Sequence, residues 1–194
     1  MKSDVYELNS LETDFRQIPA EAERVAVYSK LDAKSAMRLR LLAEEMICML
    51  PQLLIYGKGK FWIENKGRRF DLRLRVYPDR MEDTDRDQIL SVSKSGKNAA
   101  AVGIVGRICA AVEAAVSDRA KFARNDPVGA YMADISAQTG AMAWSLVTYR
   151  NTVNKDESAE AWDELEKSIL ANLADDVTVG LLSGKVDITV TKEF

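Results

Sequence analysis

Not one of the 194 residues is histidine. That removes Ser-His-Asp and Cys-His catalysis, imidazole zinc ligation and a phospho-accepting histidine from this chain. Cysteine is nearly as scarce. The two present, Cys48 and Cys109, sit in apolar helical patterns and read as buried, reduced thiols rather than a disulfide. No apolar run reaches membrane-spanning length, and the most apolar stretch, 99–116, is broken by Arg107 and Glu113. No export signal precedes Val5, so the expected location is the cytoplasm, with no membrane partner. A basic excess is missing too: the net charge of −3 argues against nucleic acid as a partner. No GxSxG occurs, no GxGxxG follows a strand, and no cysteine cluster has metal spacing. Ser95-Gly96-Lys97-Asn98 lacks both the upstream glycine and the final hydroxyl of a P-loop.

What is present is a chain for one folded domain, 1–194, with 47% apolar and 29% charged residues. It is organised around the stretch from Leu31 to Pro51, which reads as one helix. Asp32 caps it and Pro51 ends it. Ala36, Leu39, Leu42, Ala43, Met46, Ile47 and Leu50 share a wide apolar face suited to lie on a sheet. Met37, Leu41 and Cys48 form a narrower stripe on the opposite side, flanked by Glu44 and Glu45. Two apolar stripes predict a helix buried on two sides. The two carboxylates are then either solvated rim charges or a site.

Around this helix the reading runs in order. Asp4–Leu8 is a short strand, and Ser10–Lys30 a helix kinked at Pro19 or broken there into two pieces. Lys60–Glu64 and Arg69–Tyr77 form a hairpin about a turn at 65–68, with Phe70, Leu72, Leu74 and Val76 inward. Its basic outer face reads as solvated, because acids are interspersed and no aromatic platform accompanies them. Asp79–Gln88 reads as loop or short helix, and 99–116 as a helix with Val102, Val105, Ile108, Cys109, Val112 and Val116 on its apolar stripe. Gly103 and Gly106 near its start suggest a close approach to the backbone. Residues 128–142 read as partly helical, Trp144–Arg150 as a strand and Lys155–Ala174 as one amphipathic helix. A last hairpin turns at Ser183-Gly184 and places Val186, Ile188 and Val190 inward. Hairpins mixed with helices predict an α+β, two-layer sandwich: a mostly antiparallel sheet covered on one face by helices.

This layout resembles the GHKL ATPase superfamily, nearest the bacterial anti-sigma-factor serine kinases and the histidine-kinase ATP-binding domains. RLRLLAEEMICML is similar to their glutamate-bearing helix, and KFWIENKGRRFDLRLRV to the hairpin that follows it. Asp79 falls at the adenine-reading aspartate. Ser95-Gly96-Lys97-Asn98 with Gly103-Ile104-Val105-Gly106 resembles the lid and phosphate helix, and LADDVTVGLLSGKVDITVTKEF the closing strands. The resemblance implies a Bergerat-like fold with ATP and magnesium as ligands and Glu44 or Glu45 as general base. It implies a nucleotide site of Asp79, Gly96, Lys97, Asn98, Gly103, Gly106 and Arg107. Lys94, Lys97 and Arg107 would neutralise phosphate charge. A regulatory protein, and a second copy in a homodimer, are the partners it suggests.

The motif also departs from the family. Four residues after Glu44 and Glu45 stand Cys48 and Met49, where the family carries a magnesium-holding asparagine, and Arg80-Met81 replace the glycines after the aspartate. The expectation is a nucleotide-binding regulatory domain with little or no turnover. The alternative is a non-catalytic interaction domain that keeps the fold and binds a regulatory protein.

Overall fold

Alternation builds the hairpin. In the computed structural model, β2 (Gly57–Lys66) and β3 (Arg69–Pro78) pair antiparallel from Gly57↔Pro78 to Lys66↔Arg69. Two residues are left for the turn, and Gly67 takes φ +67° at its first position, as a II′ turn requires. Phe61 and Ile63 on β2 and Phe70, Leu72, Leu74 and Val76 on β3 are all buried on one face. The structure describes residues 1–9, 15–53, 57–78, 103–109, 111–112, 141–153, 159–182 and 185–194.

The sheet grows outward from this hairpin. β1 (Tyr6–Leu8) adds to β2. β6 (Lys185–Glu193) pairs with β3, β5 (Asp176–Leu182) with β6, and β4 (Ala141–Ser145) with β5. The six-stranded order is β1-β2-β3-β6-β5-β4, with every pairing antiparallel. Val177, Val179, Val186, Ile188 and Val190 continue the buried face across β5 and β6.

Helices complete the core on that face. α1 (Gln17–Tyr28) buries Ile18, Ala22, Val25 and Ala26. Pro19 is its third residue, so the helix needs no kink. A first-turn proline lacks only an N–H that has no intrahelical partner anyway. The chain leaves α1 through a Schellman turn: Leu31 N donates to Ala26 O at 3.0 Å and Lys30 N to Val27 O at 3.0 Å, with Lys30 at φ +55°. Asp32 then caps α2 (Ala33–Leu53), accepting from Lys34 N at 2.9 Å and Ser35 N at 3.1 Å. The Ser35 hydroxyl adds a third bond at 2.7 Å and is the main reason the Asp32 carboxyl sits below its ordinary pKa.

α2 buries Leu39, Leu42, Ala43, Met46 and Leu50 of its expected face, and Met49 and Leu53 besides, in one cluster with Phe70, Leu72 and Leu74. Ile47 is only partly buried against that cluster. The helix runs two residues past Pro51, whose missing N–H costs one bond while buried Leu53 holds the last turn on the core.

The third helix, α3, covers 103–109 and 111–112. Its buried stripe is Ile104, Ile108 and Val112, with Val105 and Cys109 only partly buried. The helix is therefore rotated from the expected face. Trp144–Arg150 is not a strand. β4 ends at Ser145, which caps α4 (Leu146–Thr152) by accepting from Thr148 N at 3.3 Å. The expected single helix over 155–174 is two: α5 (Ala159–Lys167) and α6 (Ile169–Leu173), separated by Ser168, whose hydroxyl accepts from Ala171 N at 3.2 Å. That break turns the apolar face, so Leu170, Ala171 and Ala174 are buried and Ile169 is exposed. The expectations for 10–14, 79–102, 113–140, 154–158 and 183–184 lie outside the described residues.

Candidate functional site

α2 supplies the first candidate. Its outer stripe is not buried: Met37 is 57% exposed, Cys48 is exposed and Leu41 is half-buried. The helix meets the sheet on its inner side and has α1 and α6 as neighbours. Cys48 and Cys109 are in no disulfide, but Cys48 is a surface thiol rather than a buried one. Partial desolvation, then Glu45 and Glu44, hold its pKa above the ordinary thiol value.

Glu44 and Glu45 are one residue apart and differ in kind. A step of one residue is a rotation of about 100°, which carries Glu44 to the side opposite the core and leaves Glu45 beside buried Leu42 and Met49. Glu44 accepts from Arg40 Nε at 2.8 Å, and the same guanidinium reaches Glu23 on α1. The Arg40 charge is thus held between two carboxylates, and its pKa is raised by both. Glu44 is a neutralised surface group. Glu45 is half-buried and makes no ion pair among the described residues. Desolvation, then the charge of Glu44, raises its carboxyl above the ordinary range. A carboxyl so tuned is better suited to accept a proton than a fully solvated one.

The second candidate lies on α3. Gly103, the first described residue of α3, takes φ +89°, and a Cβ there would meet nothing within 4 Å. Its glycine is needed for backbone conformation, not for a close approach. Gly106 is buried and Gly103 half-buried. One turn on, Arg107 Nε donates to Glu164 Oε2 at 2.8 Å, and its guanidinium lies 4.5 Å from the centre of the Tyr149 ring. The Tyr149 hydroxyl donates to the same Glu164 oxygen at 3.3 Å, and Trp144 stands 6.1 Å from Tyr149. Burial raises the phenol's pKa, Arg107 opposes that, and Glu164 adds to it. The arrangement holds one arginine on two anchors from α4 and α5.

Tyr149 and Glu164 were missed as partners because the sequence pattern puts Tyr149 in a strand and Glu164 in a single unbroken helix over 155–174. Ser145 followed by Thr148, a cap spacing, was the signal available. Of the other expected nucleotide-site residues, Asp79, Gly96, Lys97 and Asn98 lie outside the described residues. α2 and α3 share the core through Ile104, Ile108 and Val112.

No protein-family model and no curated protein matches this chain. The donor set on α2 does not fit magnesium. Met49, one turn after Glu45, is a thioether with no exposed surface, and Cys48, one turn after Glu44, is a soft thiol. A hard cation wants oxygen. Among the described residues, no three carboxylate or thiol side chains converge on a metal-sized space. No described helix is long and apolar enough to cross a membrane.

Proposed function

We propose that this chain is a divergent ATP-binding regulatory domain of the GHKL type, with little or no catalytic turnover. Glu45 carries the reading: a half-buried carboxyl, raised by desolvation and without an ion pair among the described residues, on the helix that resembles the family's glutamate helix. Two features of the fold support it. The C-terminal strands extend the first hairpin through β3 and β6, as closing strands would. Arg107 on α3 is held by Glu164 and Tyr149 and remains partly exposed as a cation for phosphate.

Weak turnover follows from the same helix. A carboxylate can activate a nucleophile, but phosphoryl transfer also needs charge neutralisation at the phosphates, normally from a metal. The sulfur side chains one turn beyond Glu44 and Glu45 do not supply a magnesium ligand. Binding without hydrolysis suits a ligand-sensing role.

The test is thermal unfolding with increasing ATP, with and without magnesium. Binding to the native state raises the melting temperature, and the stabilisation grows with the logarithm of ligand excess over Kd. The expected result is an ATP-dependent rise that magnesium changes little. No rise at millimolar ATP would remove the nucleotide reading.

The alternative, a non-catalytic domain that binds a regulatory protein, has its own observation. Val27 and Tyr28 at the end of α1 are 77% and 75% exposed, close in the chain to exposed Met37 on α2. Large apolar side chains left in water at a helix hairpin are a usual feature of docking surfaces.

A further inference from the structure

We propose that the corner of the sheet built on Lys58, Tyr77 and Lys185 docks an acidic segment of a partner protein. This surface lies on the face opposite α2, so it stands or falls apart from the nucleotide reading. Strand alternation puts Lys58, Lys60 and Trp62 of β2, Arg73, Arg75 and Tyr77 of β3, and Lys185 of β6 on the face turned away from the buried Phe61, Leu74 and Ile188. The buried helix residues belong to the one cluster that contains Phe61, Leu74 and Ile188.

The register sorts these charges into rows. Lys58 is opposite Tyr77, at the end where β6 starts with Lys185. In the next row Lys60 faces Arg75, which faces Asp187. Two rows beyond, Glu64 faces Asp71, which faces Thr191, and the surface has turned acidic.

The acidic end is charge-paired within itself. Asp71 accepts from Arg69 at 2.9 Å and Thr191 at 2.8 Å, and Arg73 Nε lies 3.2 Å from Glu64. The basic end is not. Lys60 is answered by Glu7 at 2.6 Å, and Arg75 donates twice to Asp187, at 2.5 and 2.7 Å. Lys58 and Lys185 form no ion pair among the described residues. Among the described residues four cations thus face two carboxylates, a local surplus of two positive charges on a chain of net charge −3.

The aromatic rings decide between an acidic peptide and a single-stranded nucleic acid. Nucleic-acid platforms need open rings for bases to stack on. Here the Lys60 and Lys185 ammoniums lie 5.8 and 5.3 Å from the centre of the Tyr77 ring, and Lys2 and Arg75 lie 4.9 and 5.4 Å from that of Trp62. Trp62 is only 7% exposed. The rings hold the cations in place rather than receiving bases. Lys58 and Lys60 are two residues apart on one strand, a spacing of roughly 6.6 Å that matches alternate side chains of an extended acidic peptide.

The test uses the whole chain and a fluorescein-labelled octaglutamate peptide, read by fluorescence anisotropy at low and high salt. An unlabelled oligothymidylate of eight nucleotides serves as competitor. The expected result is saturable peptide binding at low salt that weakens as screening grows. The Lys58→Glu/Lys185→Glu double variant should bind at least about tenfold more weakly, while Lys66→Glu, outside the corner, binds as wild type. If melting shows the double variant unfolded, Lys58→Gln/Lys185→Gln replaces it, with about a threefold loss expected. No peptide binding at low salt, equal losses in the corner and Lys66 variants, or displacement by the oligonucleotide more effective than by free octaglutamate would each overturn the proposal.

Discussion

The hairpin β2–β3 and the segment from β4 to α6 lie in one sandwich, with β6 and β5 between β3 and β4, and follow different rules. In the hairpin every second residue points inward, and the turn is set by Gly67. Nothing outside the segment is needed to predict it. Among the described residues from β4 to α6, direction changes at Ser145 and at Ser168, and each time a hydroxyl caps the helix that follows. Val147, Thr148 and Tyr149 have strand propensity, yet they are helical because Ser145 caps them and Asp176 holds the junction, accepting from Ser145 Oγ and Val147 N, both at 3.2 Å. Periodicity specifies a region with one buried face. Single polar side chains specify a region that turns.

The first way to sharpen this contrast is to damage the hairpin's core. Leu72 is fully buried between Ile63 and Val190 in the sheet register, so Leu72→Ala should destabilise the protein by about 3 kcal/mol. Chemical denaturation should show one lowered transition. A loss under about 1 kcal/mol would mean that the sheet is not the common core.

The turn comes next. A Cβ at Gly67 would meet nothing within 4 Å, so Gly67→Ala tests conformation alone, and φ +67° should cost roughly 1–2 kcal/mol. An unchanged midpoint in denaturant would show that the turn relaxes to another type.

In the second region the caps carry the weight. Ser145→Ala and Ser168→Ala should each cost about 1 kcal/mol. Ser145 should cost more, because its buried hydroxyl also donates to Asp176. Hydrogen exchange should quicken locally in α4 or in α6 while the β2–β3 hairpin keeps its protection. Equal quickening in the hairpin would break the distinction between the two regions.

The same distinction explains what was legible beforehand. The α+β sandwich, the two hairpins, the Asp32 cap and the inner face of α2 all follow from spacing and local turn chemistry. The α5–α6 break was hidden because Trp162, Leu165, Ile169 and Leu173 keep a helical rhythm straight through Ser168. The burial of α2 on two sides was misjudged because an apolar stripe records composition, not the presence of a neighbour. The site was legible only to the helix. Glu44 and Glu45 were a pair in the sequence, and it took the Arg40 side chain to separate them. Arg107 could be named, but Tyr149 and Glu164 come from elements whose boundaries had been misplaced.

The smallest effect concerns Glu45 on its own. Its carboxyl pKa is raised in the folded protein, so the native state holds its proton to higher pH than the unfolded chain does. Stability therefore falls as pH rises from the ordinary carboxylate range through the raised folded value, and stays lower above it. Glu45→Gln should relieve this by a few tenths of a kcal/mol at neutral pH, discounted for its partial exposure. The gain should vanish in acid. Glu44→Gln should show no such gain, having lost its Arg40 partner instead. A gain of the same size at all pH values would point to packing rather than charge.

The central claim, a tuned carboxylate on a helix that cannot hold the metal, is tested most directly by phosphate release from ATP and magnesium. The purified protein and its Glu45→Gln variant are compared under conditions where ATP raises the melting temperature. The account predicts release near the uncatalysed background in both, with no difference between them. Magnesium-dependent hydrolysis by the wild type that Glu45→Gln abolishes would contradict it and make this chain a working phosphotransfer enzyme.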